Sequence, residues 1–358
     1  MCKIFRLPLF VAFLFILCHA KKQLKNKQTK VRPDAFLARS GLTKKKEGNA
    51  MQNKEIITVA MDIDDFLTTM DIKHLKEQDH LDPLHYKQEY FINITFDYQQ
   101  QEHSVVNLLT PGCADFLRFL FDHENVRPAF FSAGLRVRNV VLASQIVQML
   151  VDTGGDPGWM DRYEVYSRED CLDTTYIREG KEFQPKNFFG NYKKDLRMIY
   201  YGREKYREKK GDLKSLHPNK ERDDEILKNI ILIEEDSSYL FPGQEKNMLL
   251  SPSFFHPDPT AINYQEEEIP DDYDDTFRSF KSDNTIFYAA GVMNRTLERF
   301  VSEDLTVPEI LWEEQGAIWY EPDDYKKRFP IHFFKEGRAA LRKYNPDLNF
   351  IVRLGKDE

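Results

Sequence analysis

Short continuous runs of apolar, β-branched residues mark Glu55 to Met61 and Asn229 to Glu234 as strands buried on both faces. Arg127 to Phe131 leads into a second strand, ending at Ser132-Ala133-Gly134. Residues 90–99 and 103–109 are strand-like segments about a polar turn, which predicts a hairpin. Helical spacing follows Thr110-Pro111-Gly112, where Phe116, Leu117, Phe119 and Leu120 supply an apolar face. It returns from Asn139 to Val151, ended by Gly154, Gly155, Pro157 and Gly158. Tyr163 to Cys171 is expected as a further strand, and 172–192 as irregular, aromatic chain. Residues 203–225 are dense in charge and read as an exposed insertion, and the acidic stretch 265–275 reads as a loop. Helices are expected over Ile286 to Val301 and Phe334 to Tyr344. Strand, helix, strand, helix, insertion, strand, helix is the order of an α/β protein: a doubly wound parallel, Rossmann-like sheet with helices on both faces.

Composition agrees with a globular core. Of 358 residues, 41% are hydrophobic, and the net charge of -8 argues against general nucleic-acid binding. Charge is uneven along the chain. Lys3 and Arg6 precede an apolar run from Leu7 to Cys18, and small residues around Ala20 offer a cleavage point. Residues 1–20 therefore read as a secretory signal peptide, too short in its apolar part for an ordinary span. Lys21, Lys22, Lys25, Lys27, Lys30 and Arg32 oppose export, so an uncleaved membrane anchor is the alternative to an exported chain. Residues 21–54 read as a basic flexible linker, 55–303 as the folded domain, and 304–358 as a C-terminal extension. Cys2 and Cys18 lie in the leader, and Cys113 and Cys171 suit two buried free thiols better than one bridge.

Four polar clusters follow or neighbour the buried strands: Asp62/Asp64, Ser132, Lys194-Asp195 and Glu235-Asp236. Strand ends of a doubly wound sheet converge on one rim, so residues far apart in sequence meet there. The groups suit phosphoryl transfer. One carboxylate attacks phosphorus while a second protonates the leaving oxygen and later activates water. The chain must turn directly after Asp62 for both to reach one centre. A hard cation such as Mg²⁺ balances the carboxylates, and a lysine with a hydroxyl holds the phosphoryl oxygens. Each cluster alone has an ordinary explanation: a surface turn, a helix cap, a solvated charge run, a helix start. The four in this order are far more specific than any one.

That order resembles the haloacid dehalogenase superfamily, in its branch of small CTD-phosphatase-like, FCP/NLI-interacting-factor-type domains. The matching residues are Asp62-Ile63-Asp64-Asp65-Phe66-Leu67, then Thr110-Pro111-Gly112 with Phe116-Leu117. Ser132-Ala133-Gly134 with Arg136 and Arg138 comes next, followed by Arg168-Glu169-Asp170-Cys171, Lys194-Asp195-Leu196, and Glu235-Asp236-Ser237 with Asn247. The resemblance covers roughly residues 55–300. It implies a β-hairpin after the first motif and a small insertion between motifs two and three. It implies Asp62 as nucleophile, forming an aspartyl-phosphate, and Asp64 as acid and base. Mg²⁺ would be held by Asp62, the Asp64 carbonyl and Asp236, with Glu235 and Asp195 behind them. Ser132 and Lys194 would bind substrate phosphate. Phe66 departs from the family's Thr, which removes a hydroxyl from the first loop. The expected substrate is a phosphoprotein or phosphopeptide, with phosphoserine/threonine and phosphotyrosine left open. Membrane contact is expected only through an uncleaved leader. The competing readings are a non-catalytic peptide-binding module of the same fold and a small-metabolite phosphatase.

Overall fold

The computed structural model describes residues 55–69, 91–173, 192–210, 220–254, 261–264, 280–316, 318 and 325–353. The expected leader at 1–20, the linker at 21–54 and the acidic stretch at 265–275 lie outside the described residues. No helix among the described residues is long and apolar enough to cross a membrane.

The β-branched runs form the centre. β1 (Ile57–Met61), β5 (Val126–Phe131), β6 (Glu164–Tyr166), β9 (Ile230–Glu234) and β10 (Met248–Leu250) make a five-stranded sheet in the order β10-β9-β1-β5-β6. Every pairing is parallel. In the register, Val59 lies between Pro128 and Ile231. All five residues of β9 are buried, so both faces of the sheet are covered, which is why the run lacks polar alternation. The fold is the expected doubly wound α/β type.

A second sheet follows β1. β2 (Thr68–Thr69), β3 (Phe91–Tyr98) and β4 (Gln101–Leu109) are ordered β2-β4-β3 and antiparallel. The hairpin turns at Gln99 and Gln100, with φ of 50° and 64°. Two consecutive positive-φ residues give the tight turn that matches strand twist. The turn sits a residue or two before the expected position, because the pairing runs to its limit at Tyr98 and Gln101.

Helices α1 (Cys113–Asp122) and α2 (Arg136–Asp152) follow β4 and β5. α1 begins after Gly112 at φ 80°, and it buries Phe116, Leu117, Phe119 and Leu120 as its spacing predicts. The expected strand over 163–171 is shorter. After β6 the chain enters a 3₁₀ turn at Arg168–Asp170, where Ser167 and Asp170 cap one another reciprocally. β7 (Leu172–Asp173) and β8 (Tyr192–Lys193) pair antiparallel, ahead of α3 (Arg197–Tyr201).

Residues 203–225 are not simply an exposed insertion. They include α4 (Arg203–Lys210) and most of α5 (Lys220–Ile226). Tyr206, on α4, is 2% exposed, because Asp195 accepts its hydroxyl at 2.8 Å in the interior. The boundary expected at 303/304 is likewise not a boundary in the packing. β11 (Ala261–Tyr264), α6 (Thr285–Ser302), α7 (Val307–Gln315), α8 (Tyr325–Arg328), α9 (Ile331–Leu341) and β12 (Phe350–Arg353) complete the chain. β12 pairs antiparallel with β11, and Phe333, Phe334 and Phe350 are buried in the same core cluster as β1. Gly48–Glu358 forms one compact unit, because the apolar faces of α6 and α9 bury each other. Cys113 and Cys171 are buried, and no disulfide joins them. Burial pushes the Cys171 thiol up to about 12, which makes it an inert one.

Candidate active site

The sheet order reverses at β1: the next strand of the same sheet, β5, lies on one side of it and β9 on the other. Crevices at such switch points, beyond the carboxyl ends of the strands, are where open α/β sheets bind ligands. Asp62 stands there. It directly follows β1, its N–H still donates to the Ile233 carbonyl of the sheet at 2.9 Å, and it is 5% exposed.

The chain then turns at once, as two carboxylates on one centre require. Asp65 takes a left-handed φ of 61°. Its N–H donates to the Thr68 carbonyl at 2.7 Å, and the Thr68 N–H donates to Ile63 at 2.8 Å. The Thr68 hydroxyl reaches the same Ile63 carbonyl at 3.2 Å. Thr68 thus supplies a loop-closing hydroxyl near the position where Phe66 lacks one. Phe66 is instead fully buried, edge-on to Phe116. Thr110 ties the loop down through its hydroxyl to the Phe66 carbonyl at 2.5 Å.

Lys194 arrives from 132 residues away. Its backbone forms a parallel bridge with Leu240, its N–H donating to Tyr239 at 2.7 Å. The side chain is 1% exposed and passes near the rings of Phe131 and Tyr239. Its Nζ donates to Asp62 Oδ1 at 2.6 Å and also to Glu234. Burial opposes the ammonium, but Asp62, Glu234 and Glu235 outweigh that and hold the Lys194 pKa above its ordinary value. The carboxyls rise too, and for them a rise favours the neutral form. Burial, reinforced by their neighbours' charge, raises Asp62 and Glu235 well above the usual carboxylate range.

Asp62, Glu234 and Glu235 each offer a carboxylate oxygen within 4.8 Å of the others. Glu234 Oε1 and Glu235 Oε2 are buried without a hydrogen-bond partner. Ionised together, three carboxylates against one ammonium would leave two negative charges in excess, which on top of burial raises Asp62 and Glu235 here, and orphaned buried oxygens are costly. A divalent cation with oxygen ligands answers both, so this donor set fits Mg²⁺.

Asp236 was the carboxylate expected in that role, with Glu235 behind it. The structure brings Glu235, not Asp236, beside Asp62. β9 ends at Glu234, whose side chain turns inward to Lys194, and Glu235 follows it into the cluster. Asp236 is exposed and caps the 3₁₀ turn Ser237–Tyr239, accepting the Ser238 N–H at 2.8 Å. Asp195 is also elsewhere. It is a fully buried hub that accepts from Arg197, Tyr206 and Gln244, and so anchors the segment carrying Lys194.

Ser132 and Asp64 meet at the rim, the hydroxyl donating to Asp64 Oδ2 at 3.0 Å. Arg138, on α2, completes this side with two bonds to Asp64, of 2.6 and 2.9 Å. Sequence reasoning assigned no site role to Glu234 or Arg138. Glu234 was legible as the last residue of a strand run, and Arg138 as the second arginine after Ser132.

Among the solved structures similar to this chain are two of CTD phosphatases. One is a structure of Fcp1, an essential RNA polymerase II CTD phosphatase, 12% identical, with a TM-score of 0.34 over 81% of this chain and 62% of that chain. Another is the fission yeast RNA polymerase II CTD phosphatase Fcp1, a variant bound to beryllium fluoride, 12% identical, with a TM-score of 0.33 over 84% of this chain and 69% of that one. The chain therefore spans less than two thirds of the first structure's length. No family model and no curated protein matches the chain. The strand order, with a hairpin directly after the Asp62/Asp64 loop, is the architecture implied by the motif resemblance. The fold is a doubly wound parallel α/β sheet with a second, antiparallel sheet.

Proposed function

We propose that the chain is a Mg²⁺-dependent phosphatase acting through an aspartyl-phosphate, with phosphoproteins or phosphopeptides as substrates. The observation that carries this reading is a buried Asp62 at the switch point, paired with Lys194 and facing Glu234 and Glu235. A buried carboxylate held by one lysine is oriented, stripped of water and ready to attack an electrophile.

In the proposed reaction a carboxylate oxygen of Asp62 bonds to phosphorus as the bond from phosphorus to the leaving oxygen breaks. Asp64 gives that oxygen a proton. Asp64 then takes a proton from water, whose oxygen attacks phosphorus, and the bond to Asp62 breaks to release inorganic phosphate. Lys194 stabilises charge on the phosphoryl oxygens, and Ser132 lies beside Asp64 to orient it. Mg²⁺, when bound, supplies neutralising charge for the carboxylates and the phosphoryl group. Asp62 and Glu235 are the side chains that would hold it, with the Asp64 carbonyl, and Glu234 would bridge to Lys194.

The test is a phosphopeptide panel assayed with and without Mg²⁺, using the intact chain and Asp62→Asn. Turnover should need the metal and fall more than ~10³-fold in the variant, the scale of losing a group that acts in the transition state. Near-native turnover by Asp62→Asn would exclude the mechanism. Phosphopeptide binding without turnover would make the domain a binding module.

A further inference from the structure

The site's carboxylates are paired with two different cations. Lys194 bonds to Asp62 and Glu234, whereas Arg138 is the cation paired with Asp64 among the described residues. The Arg138 side chain is 7% exposed, and its fork engages both Asp64 oxygens, Nη2 to Oδ1 at 2.6 Å and Nη1 to Oδ2 at 2.9 Å. A planar guanidinium on a carboxylate in this two-point mode fixes direction as well as charge. The same nitrogens reach further. Nη2 donates to Asn107 Oδ1 at 3.1 Å and Nη1 to Asn139 Oδ1 at 3.2 Å. Asn107 is fully buried on β4, and its own amide donates to Ile92 of β3 at 3.4 Å. Asn139 is tied to the Gly134 carbonyl, two residues beyond Ser132, at 3.2 Å.

A buried arginine is a costly way to fill space, and an apolar side chain of similar volume usually serves packing as well or better. This one holds the carboxylate that the Lys194 cluster leaves out. Asp64 keeps 29% of its side chain exposed, so it is gripped from the protein side and open on the other. We propose that Arg138 is a positioning residue: it fixes the Asp64 carboxylate in the site and, through Asn107, ties that position to the β3–β4 hairpin. Its catalytic consequence rests on the phosphatase reading above, and its structural consequence does not.

Two esters separate positioning from general stability. An activated aryl phosphate such as p-nitrophenyl phosphate expels its leaving group without a proton, whereas a phosphoserine peptide needs one. Both are followed in a single turnover, which reads formation of the aspartyl-phosphate and not its hydrolysis, where Asp64 acts as base for either ester. Arg138→Met should slow that step on the peptide about 10²-fold, the low end of what a placed acid contributes. On the aryl ester the loss should stay under about fivefold, and the half-saturating concentration for both should move little, since uniform binding is untouched. Asp64→Asn combined with Arg138→Met should be no slower than Asp64→Asn alone, because the two act as one unit. Arg138→Lys keeps the charge but not the fork; it should give the same ester split at smaller size, and it serves if the Met variant does not fold. Equal losses on both esters, or none, would overturn the catalytic part. Hydrogen exchange supplies a readout without turnover. Arg138→Met should speed exchange at residues 63–68 and 107–109 and leave β9 unchanged. Unaltered exchange there would overturn the tie to the hairpin. If the unsubstituted chain turned over neither ester with Mg²⁺, the phosphatase reading would fall, and exchange would still decide whether Arg138 holds this corner together.

Discussion

At the scale of single residues, the site turns on which acid after β9 faces the centre. Glu235 lies in the cluster with Asp62, and Asp236 serves only as the cap of a surface turn. Loss of Glu235 removes an oxygen donor next to excess negative charge, whereas loss of Asp236 frays one turn. Glu235→Gln should therefore weaken Mg²⁺ binding by more than ~10-fold, at least the cost of perturbing a ligand's support. Asp236→Asn should change it less than ~2-fold. Calorimetric titration of Mg²⁺ into both variants decides this, and the reverse ranking would return the role to Asp236. Most of the site was legible because its groups cluster at strand ends: Asp62, Asp64, Ser132 and Lys194 do come together. The acidic pair was not, for a definite reason. A strand run that closes on Glu234-Glu235-Asp236 gives three candidate acids, and sequence does not say where pairing stops. Arg138 was hidden by a separation of 74 positions from Asp64, across which neither periodicity nor spacing has force.

At the scale of elements, the long helices and buried strands were legible because periodicity reports burial, and α6 begins and ends within a residue of its expected span. Short or highly charged elements were not. β6, β7 and β8 have two or three residues each, too few for a period. α4 reads REKYREKK, where one tyrosine carries the only mark of burial. The crossing of α6 and α9 was not legible either, since it depends on two glycines. A Cβ at Gly291 would lie 1.9 Å from the Phe333 carbonyl oxygen, and one at Gly337 would lie 1.8 Å from that of Phe287. The helices therefore touch backbone to backbone, and neither neighbour is a side chain that can swing aside. Gly291→Ala must part the helices or bend one. The expected cost is about 3 kcal/mol, in the upper range for overpacking a core. In urea the midpoint should fall while the slope holds. A midpoint within experimental scatter of the unsubstituted protein would mean that the helices do not approach so closely.

At the scale of the whole molecule, residues after 303 close the core that begins at β1. The side chain of Gln315, on α7, donates to the Leu250 carbonyl of β10 at 3.3 Å and to the Tyr288 hydroxyl at 2.7 Å. Asn284, at the start of α6, exchanges two hydrogen bonds with the Ile351 backbone, at 2.6 and 2.9 Å. Phe280 packs against both Phe334 and Phe350, and Tyr288 against Phe333 and Phe334. Arg338 is 1% exposed, with its guanidinium over Phe350 and its Nε donating to the Leu348 carbonyl at 3.2 Å. Val307, Ile310, Leu311, Phe333, Phe334, Leu341 and Phe350 are all essentially buried. At the low end of what burying a large apolar side chain contributes, these residues account for about 10 kcal/mol. The ordering entropy of the segment offsets part of this, but the total still rivals the whole stability of an ordinary domain, ~5–15 kcal/mol. Removing the segment also exposes the apolar face of α6, on which Phe287 and Tyr288 are fully buried in the intact chain. A chain ending at residue 303 keeps Asp62, Asp64, Ser132, Arg138, Lys194, Glu234 and Glu235, so it retains every site group while losing their support. Such a fragment should show no cooperative thermal transition by circular dichroism and should aggregate when concentrated. A soluble fragment melting cooperatively within ~5 °C of the full chain would mean that 304–358 is an appendage after all, since a domain of this size shifts Tm by several degrees for each ~2 kcal/mol lost.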